Sequence, residues 1–152
     1  MLTIRVQSQD FDVSTELAKL RTASKQIGGL ASFVGVVRDS NEGSAVASLE
    51  LEHYPGMTEK SIAAIVDEAV TRWQLLGVTV IHRIGKLAPC DQIVFVATAS
   101  QQRGSAFAAC EFIMDYLKTQ APFWKKELTP EGERWVDSRS ADLDAARRWQ
   151  DS

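Results

Sequence analysis

A chain of 152 residues, 45% of them hydrophobic, is long enough to bury roughly two-thirds of the surface its unfolded form would expose, so a self-standing core is expected. Its 17 Lys+Arg against 20 Asp+Glu leave a net charge of -3, which excludes nucleic-acid or anionic-membrane binding through bulk positive charge; an anionic ligand has to be met by a local basic cluster. The opening residues, Met1 to Gln7, lack the apolar run of a signal peptide, and no stretch approaches the roughly 20 apolar residues of a membrane span, so a cytosolic chain is expected.

The elements alternate between strand and helix signals without an internal repeat or a long linker, which predicts one α+β domain over residues 1–152. Leu2 to Val6 reads as a strand. The segment from Ser14 reads as a helix that starts on polar residues and stops at Gly28-Gly29. Leu30 to Arg38 is almost wholly apolar or small, whereas Ala45 to Tyr54 alternates, with Leu49, Leu51 and His53 on one face and Glu50, Glu52 and Tyr54 on the other. Pro55-Gly56 makes a turn, and Thr58 is placed to cap a helix in which Ile62, Ile65, Val66, Ala69, Val70 and Trp73 recur at helical spacing. Val78 to Ile84 and Ile93 to Ala99 are apolar on both faces apart from His82 and Arg83, the pattern of central strands covered on both sides. A second helix is predicted from Ser105 to Lys118, with Phe107, Cys110, Met114 and Leu117 on its buried stripe and Pro122 forbidding its continuation. Strands at Phe123 to Leu128 and Arg134 to Val136 follow, and a charged helix from Ser140 to Trp149 closes the chain.

Common catalytic constellations are missing: there is no glycine-rich phosphate loop, no HExxH and no GxSxG. Cys90 and Cys110 lie far apart without metal-ligand spacing, so they read as reduced, structural thiols and no metal site is expected. His53 and His82 both fall in strands, and His82 shares a face with Val78 and Val80, as a satisfied core or interface residue does. What stands out is a set of cations at element ends: Arg38 closing a strand, Arg103 just before a helix, Lys118 at that helix's C-terminus and Lys125 after Pro122. Arg103 sits where the free N–H groups of a helix's first turn favour an anion, though a solvated arginine fits the pattern equally. Lys118 equally suits a plain partner of the helix dipole. Lys125 and Lys126, adjacent in a strand, point to opposite faces; spacing does not choose between them.

Three runs carry a resemblance: Leu51 to Lys60, Val80 to Leu87 and Phe112 to Glu127 are strongly similar to the large subunits of molybdopterin synthase. The resemblance weakens only in about the first 25 residues and at the extreme C-terminus. It implies an α/β hammerhead-like domain with an added β-rich subdomain, and a sulfurtransferase that needs no cofactor of its own. The sulfur would arrive as a thiocarboxylate on the C-terminal Gly-Gly of a small ubiquitin-like subunit, and the acceptor would be cyclic pyranopterin monophosphate. By resemblance, Lys118 and Lys125 match active-site lysines, and Arg38, Arg103 and Arg139 match basic residues of the substrate pocket. Where the family commonly has His-Arg, this chain has Gln102-Arg103, and Gln102 hydrogen-bonds without ever carrying charge.

The resemblance also implies a central homodimer within a heterotetramer. A continuous helix from Arg103 to Lys118 separates their backbones by about 22 Å, too far for one pterin monophosphate to touch both, so the expected site is shared between two copies. The rival reading is a non-catalytic dimeric scaffold that binds a partner's tail and an anion. A stand-alone phosphohydrolase is disfavoured by the lack of a nucleophile or metal ligands.

Overall fold

The computed structural model describes residues 1–41, 44–136 and 140–151. Its first sheet is built from β1 (Leu2–Gln7), β2 (Gly29–Val36), β6 (Gly77–Arg83) and β8 (Gln92–Ser100), in the order β1-β6-β8-β2. β1 runs parallel to β6, and the other pairs are antiparallel. The central strands alternate between two cores. Val78, Val80, Val94 and Val96 point towards helices α2 (Met57–Trp73) and α3 (Arg103–Thr119), where Ile62, Val66, Ala109, Phe112 and Ile113 are also buried. Ile81, Phe95, Ala97 and Ala99 point to the opposite side, where helix α1 (Val13–Arg21) contributes Leu20 and the preceding loop contributes Phe11. Helices on both faces explain why these strands carry unbroken apolar runs. Truncating a fully buried residue here, Phe112 or Ile113 for instance, is expected to cost about 2–5 kcal/mol.

The second sheet has the order β10-β9-β5-β7 and is antiparallel throughout, formed by β5 (Ser48–His53), β7 (Gly85–Leu87), β9 (Phe123–Thr129) and β10 (Gly132–Val136). A short ladder between β3 (Ser40–Asn41) and β4 (Ser44–Ala45) lies before β5 in the chain. Leu49, Leu51 and Leu87 bury its inner face against Val37, and Ile93 packs against both this cluster and the core under α3. The fold is thus α+β with an added β-rich layer, as expected. Helix α4 (Ser140–Arg147) and a 3-10 turn over Arg148–Asp151 return along α3. There Trp149 Nε1 donates to Asp115 at 2.6 Å, and its ring meets Phe112 edge-on.

Several boundaries differ from the sequence reading. α1 stops at its C-cap Thr22, well short of Gly28-Gly29, and Asp12 caps its start by accepting from the Thr15 N–H. Gly28 has another purpose: a Cβ there would stand 2.1 Å from the Gln101 carbonyl oxygen, so only glycine lets the chain entering β2 pass the start of α3. Thr58 is not the cap of α2. Gly56, at φ 85°, holds that position, while the Thr58 hydroxyl accepts from the Tyr54 N–H and donates to the Pro122 carbonyl. Phe107 is 64% exposed rather than buried. Cys110 and Leu117 are buried as expected, but the buried side of α3 extends from them through Ala109, Phe112 and Tyr116 rather than towards Phe107. Arg103 is the first residue of α3, and Arg38 lies beyond the end of β2 instead of closing it.

Candidate active site

A cavity of about 500 Å³ opens where the two sheets meet the C-terminal end of α3. Its wall includes Phe33, Arg38, Asn41, His82, Met114, Lys118, Phe123, Lys125, Glu127 and Asp142. Lys118 arrives there from the last turn of α3, while its neighbours Tyr116 and Leu117 anchor that turn in the core. The helix ends when the Gln120 N–H donates to Tyr116, and Pro122 follows. The 2.9 Å bond from the Thr58 hydroxyl to the Pro122 carbonyl then fixes the turn from α3 into β9. Along β9, alternate residues share a face, so Phe123, Lys125 and Glu127 all enter the cavity wall. Lys126 falls on the other face, where it pairs with Glu50 and Glu133 and lies over the Trp135 ring.

The polar groups of the wall are tightly held. Glu127 is only 5% exposed, and its carboxylate accepts from Arg134 Nε at 2.8 Å and from Asn41 Nδ2 at 3.0 Å. His82 lies 2.8 Å through Nδ1 from the Arg83 carbonyl, and its ring stacks on Phe123 with centroids 3.7 Å apart and planes at 16°. Burial lowers its pKa to about 3; the Arg83 carbonyl opposes the shift, and the charges of Lys125 and Lys118 add to it. The ring is therefore neutral at physiological pH. Lys118 and Lys125 come from different elements yet face one space, an arrangement able to hold two anionic groups side by side.

The residues singled out in the sequence divide into two places. Arg38, Lys118 and Lys125 meet in the cavity. Gln102 and Arg103 are exposed at the other end of α3, about 22 Å from Lys118 along the helix, and Gln102 makes no side-chain capping bond. Arg139 lies outside the described residues. Cys110 is buried with its Sγ 3.7 Å from the Val96 carbonyl, and burial, aided by the Glu111 charge, pushes its thiol up to about 11. It is no nucleophile at neutral pH. Cys90 is an exposed free thiol at φ 76°. Sequence reasoning missed Asn41, Glu127 and Asp142, and read His82 as a core or interface residue only. For Glu127 a signal existed, since it shares the parity of Lys125 in a strand; Asn41 and Asp142 carry none, because tertiary folding alone brings them here.

Comparison with known proteins agrees along the whole chain. The model of the MoaE protein family matches residues 6–120. A molybdopterin synthase catalytic subunit from Ralstonia nicotianae is 64% identical over 149 residues, 98% of this chain and 85% of the relative. The subunit of the same name from Escherichia coli is 57% identical over 146 residues, 96% of this chain and 97% of the relative. Among solved structures, the molybdopterin biosynthesis MoaE protein of Burkholderia ambifaria superposes with a TM-score of 0.85 at 58% identity, covering 99% of both chains. On a family match of this extent and on identities above one half from end to end, the chain belongs to the MoaE protein family, that of the molybdopterin synthase catalytic subunits.

Proposed function

We propose that this chain, one domain over residues 1–152, is a sulfurtransferase of the cytosol. It moves sulfur from the C-terminal thiocarboxylate of a small ubiquitin-like subunit to cyclic pyranopterin monophosphate, forming the dithiolene of molybdopterin. The observation that carries the reading is the convergence of Lys118 and Lys125, from α3 and β9, on one cavity of about 500 Å³. That volume suits a pterin-sized ligand. The attacking thiocarboxylate and the substrate phosphate are both anions, so a pocket of cations around a neutral imidazole fits them without any nucleophile from the chain itself. Lys118 orients the thiocarboxylate and stabilises the negative charge that develops as the acyl intermediate forms, and Lys125 binds the pterin or serves as general acid. Arg38 adds a further cation at the wall. No helix among the described residues is long and apolar enough to cross a membrane, and the reading requires none.

The site is completed by a second copy of the chain. α3 is continuous from Arg103 to Thr119, so the anion-binding start of the helix cannot serve the same substrate as Lys118 within one chain. A two-fold dimer that sets Gln102 and Arg103 of one copy against the cavity of the other resolves this, with a small subunit docked at each end. Phe107, 64% exposed one turn after Arg103, supports an interface on that face. The test is direct: the purified chain is incubated with the pterin precursor and a thiocarboxylated small subunit, and dithiolene product is measured. Product in the complete mixture, and none without this chain, is expected; an equal yield without it defeats the reading.

A further inference from the structure

Thr58 is not among the residues of the cavity wall, yet it is fully buried and its hydroxyl joins two backbone groups far apart in the chain. The hydroxyl accepts from the Tyr54 N–H at 3.0 Å and donates to the Pro122 carbonyl at 2.9 Å. The Thr58 N–H in turn donates to the Tyr54 carbonyl at 2.9 Å, so the start of α2 is closed onto the residue after β5 before the hydroxyl reaches across. Pro122 stands between Lys118 and Lys125, in the short stretch that turns α3 into β9. The other bonds of this turn are local: Gln120 N–H to Tyr116 at 2.8 Å and Phe123 N–H to Ala121 at 2.9 Å. Pro122 has no N–H of its own to give. Among the described residues, the Thr58 bond is the hydrogen bond that ties this turn to a distant part of the fold.

We infer that Thr58 is a positioning residue for the active site: by holding the Pro122 carbonyl it sets where α3 ends and β9 begins, and with that the separation of Lys118 and Lys125. Lys118 lies in the last turn before the held carbonyl, and Lys125 lies about 10 Å beyond it along β9, so a pivot at Pro122 moves one lysine against the other. Both lysines have further interactions in the fold. Thr58 acts on the backbone from which they start, not on their ammonium groups. A displacement of about 1 Å at the reacting groups is enough to cost on the order of 10²-fold in rate, even when its origin is remote. Valine matches the shape of threonine but would leave the Tyr54 N–H and the Pro122 carbonyl unpaired, and the turn would have to move to satisfy them. The role in turnover rests on the sulfur-transfer reading; the effect on the two lysines does not.

Three variants of the full-length chain, each in complex with its small subunit, test this. Thr58→Val removes the hydroxyl, with Thr58→Ala in its place if the valine chain does not fold, and Thr58→Ser keeps it. Leu20→Ala truncates a fully buried residue on the α1 side of the first sheet and controls for lost stability alone. With ¹³C-labelled lysine Cε, the Lys118 and Lys125 signals are expected to move in Thr58→Val and to keep their wild-type positions in Thr58→Ser and Leu20→Ala. Signals unmoved in a folded Thr58→Val complex, or moved as far by Leu20→Ala, overturn the inference whatever the complex catalyses. At a temperature where every variant is folded, kcat is expected to fall about ten-fold or more in Thr58→Val and to stay within about two-fold of wild type in the other two. A Thr58→Val complex with wild-type kcat, or a Thr58→Ser complex as slow as Thr58→Val, overturns it too. A wild-type complex that makes no dithiolene refutes the sulfur-transfer reading, and the lysine signals still decide whether Thr58 places the two lysines.

Discussion

The two ends of α3 carry cations of the same formal charge in opposite settings. At the C-terminal end, Lys118 looks into a walled cavity shared with Lys125, His82 and Glu127, and the residues beside it are anchored in the core. At the N-terminal end, Gln102 and Arg103 stand exposed beside a strand entry so close that only Gly28 fits. On the proposed reading, one end is a finished half of a site and the other is the half that a second copy completes. A helix is rigid enough to keep its ends about 22 Å apart, and in a symmetric pair that distance makes one end of each copy available to the other.

Removing the cation at the finished end should have the largest effect. Lys118→Ala is expected to lower kcat about 10²–10³-fold, the usual loss when a group aimed at developing charge is deleted. Lys118 is exposed in the last helical turn, so as a dipole partner it contributes under about 1 kcal/mol, and the melting temperature should barely move. Steady-state kinetics beside thermal unfolding checks both halves. Near-normal turnover would reduce Lys118 to a helix-end charge like any other.

The contrast between the ends can also be turned into a complementation experiment. Lys118→Ala and Arg103→Ala chains should each be inactive alone and recover activity when mixed and allowed to exchange, since a mixed dimer has one doubly damaged site and one intact site. With random pairing half the dimers are mixed, so recovery should approach about one quarter of wild type. Exchange demonstrated by differently tagged chains, with no activity regained, would put both residues in one chain's site.

What the sequence made legible follows from the same contrast. Period-2 and period-3.6 patterns located the central strands, α2 and α3, because burial on both sides writes itself into unbroken apolar runs. The α3 face was read wrongly at Phe107, since 107, 110, 114 and 117 also form a helical stripe and nothing local says which stripe meets the sheet. Thr58 looked like a cap because its hydroxyl type is right; its partner, the Pro122 carbonyl, lies 64 residues away and is invisible to local reasoning. Among the residues of the cavity wall, Lys118, Lys125 and Arg38 stood out in the sequence as cations at element ends, and the stacked, neutral state of His82 did not, since it depends on a carbonyl and a ring supplied by the fold.

Acid should expose the cost of that buried ring. The folded pKa of His82, about 3, lies below its ordinary value of 6.5, so between those pH values the unfolded chain binds a proton that the folded chain refuses. Stability is then complete above about pH 6.5 and falls as pH drops towards 3, by about 2 kcal/mol between pH 7 and 5. Lys125, Lys118 and Arg38 line the cavity beside the ring as cations, with Glu127 and Asp142 as the acids; the charges of Lys125 and Lys118, and that of His53, oppose its protonation. Asp10, whose pKa is lowered by the Gln92 side chain and then by the Phe11 N–H, titrates below its ordinary 3.8 and so leaves the window above about pH 4.5 clear. Denaturant unfolding of wild type and His82→Phe at pH 7 and 5 should show the loss in wild type only. Equal loss in both would assign the acid sensitivity elsewhere.

The smallest effect is expected from the thiols, and it separates a chain that positions sulfur from one that carries it. Cys110 is held on the buried face of α3 with its pKa raised to about 11, so at neutral pH almost none of it is thiolate, and thiolate is the nucleophilic form. Cys90 is exposed on the Pro89 turn and is not among the residues of the cavity wall. A Cys90→Ser, Cys110→Ala double variant loses one buried sulfur and its weak contact with the Val96 carbonyl, which should cost about 1 kcal/mol and lower the melting temperature by about 2–4 °C. Its turnover with the thiocarboxylated partner should stay within about two-fold of wild type, because in the proposed reaction every sulfur atom of the product comes from the partner's tail. Folded double variant without activity would mean that a thiol of this chain carries the sulfur, and the two lysines would then be binding groups around a covalent step.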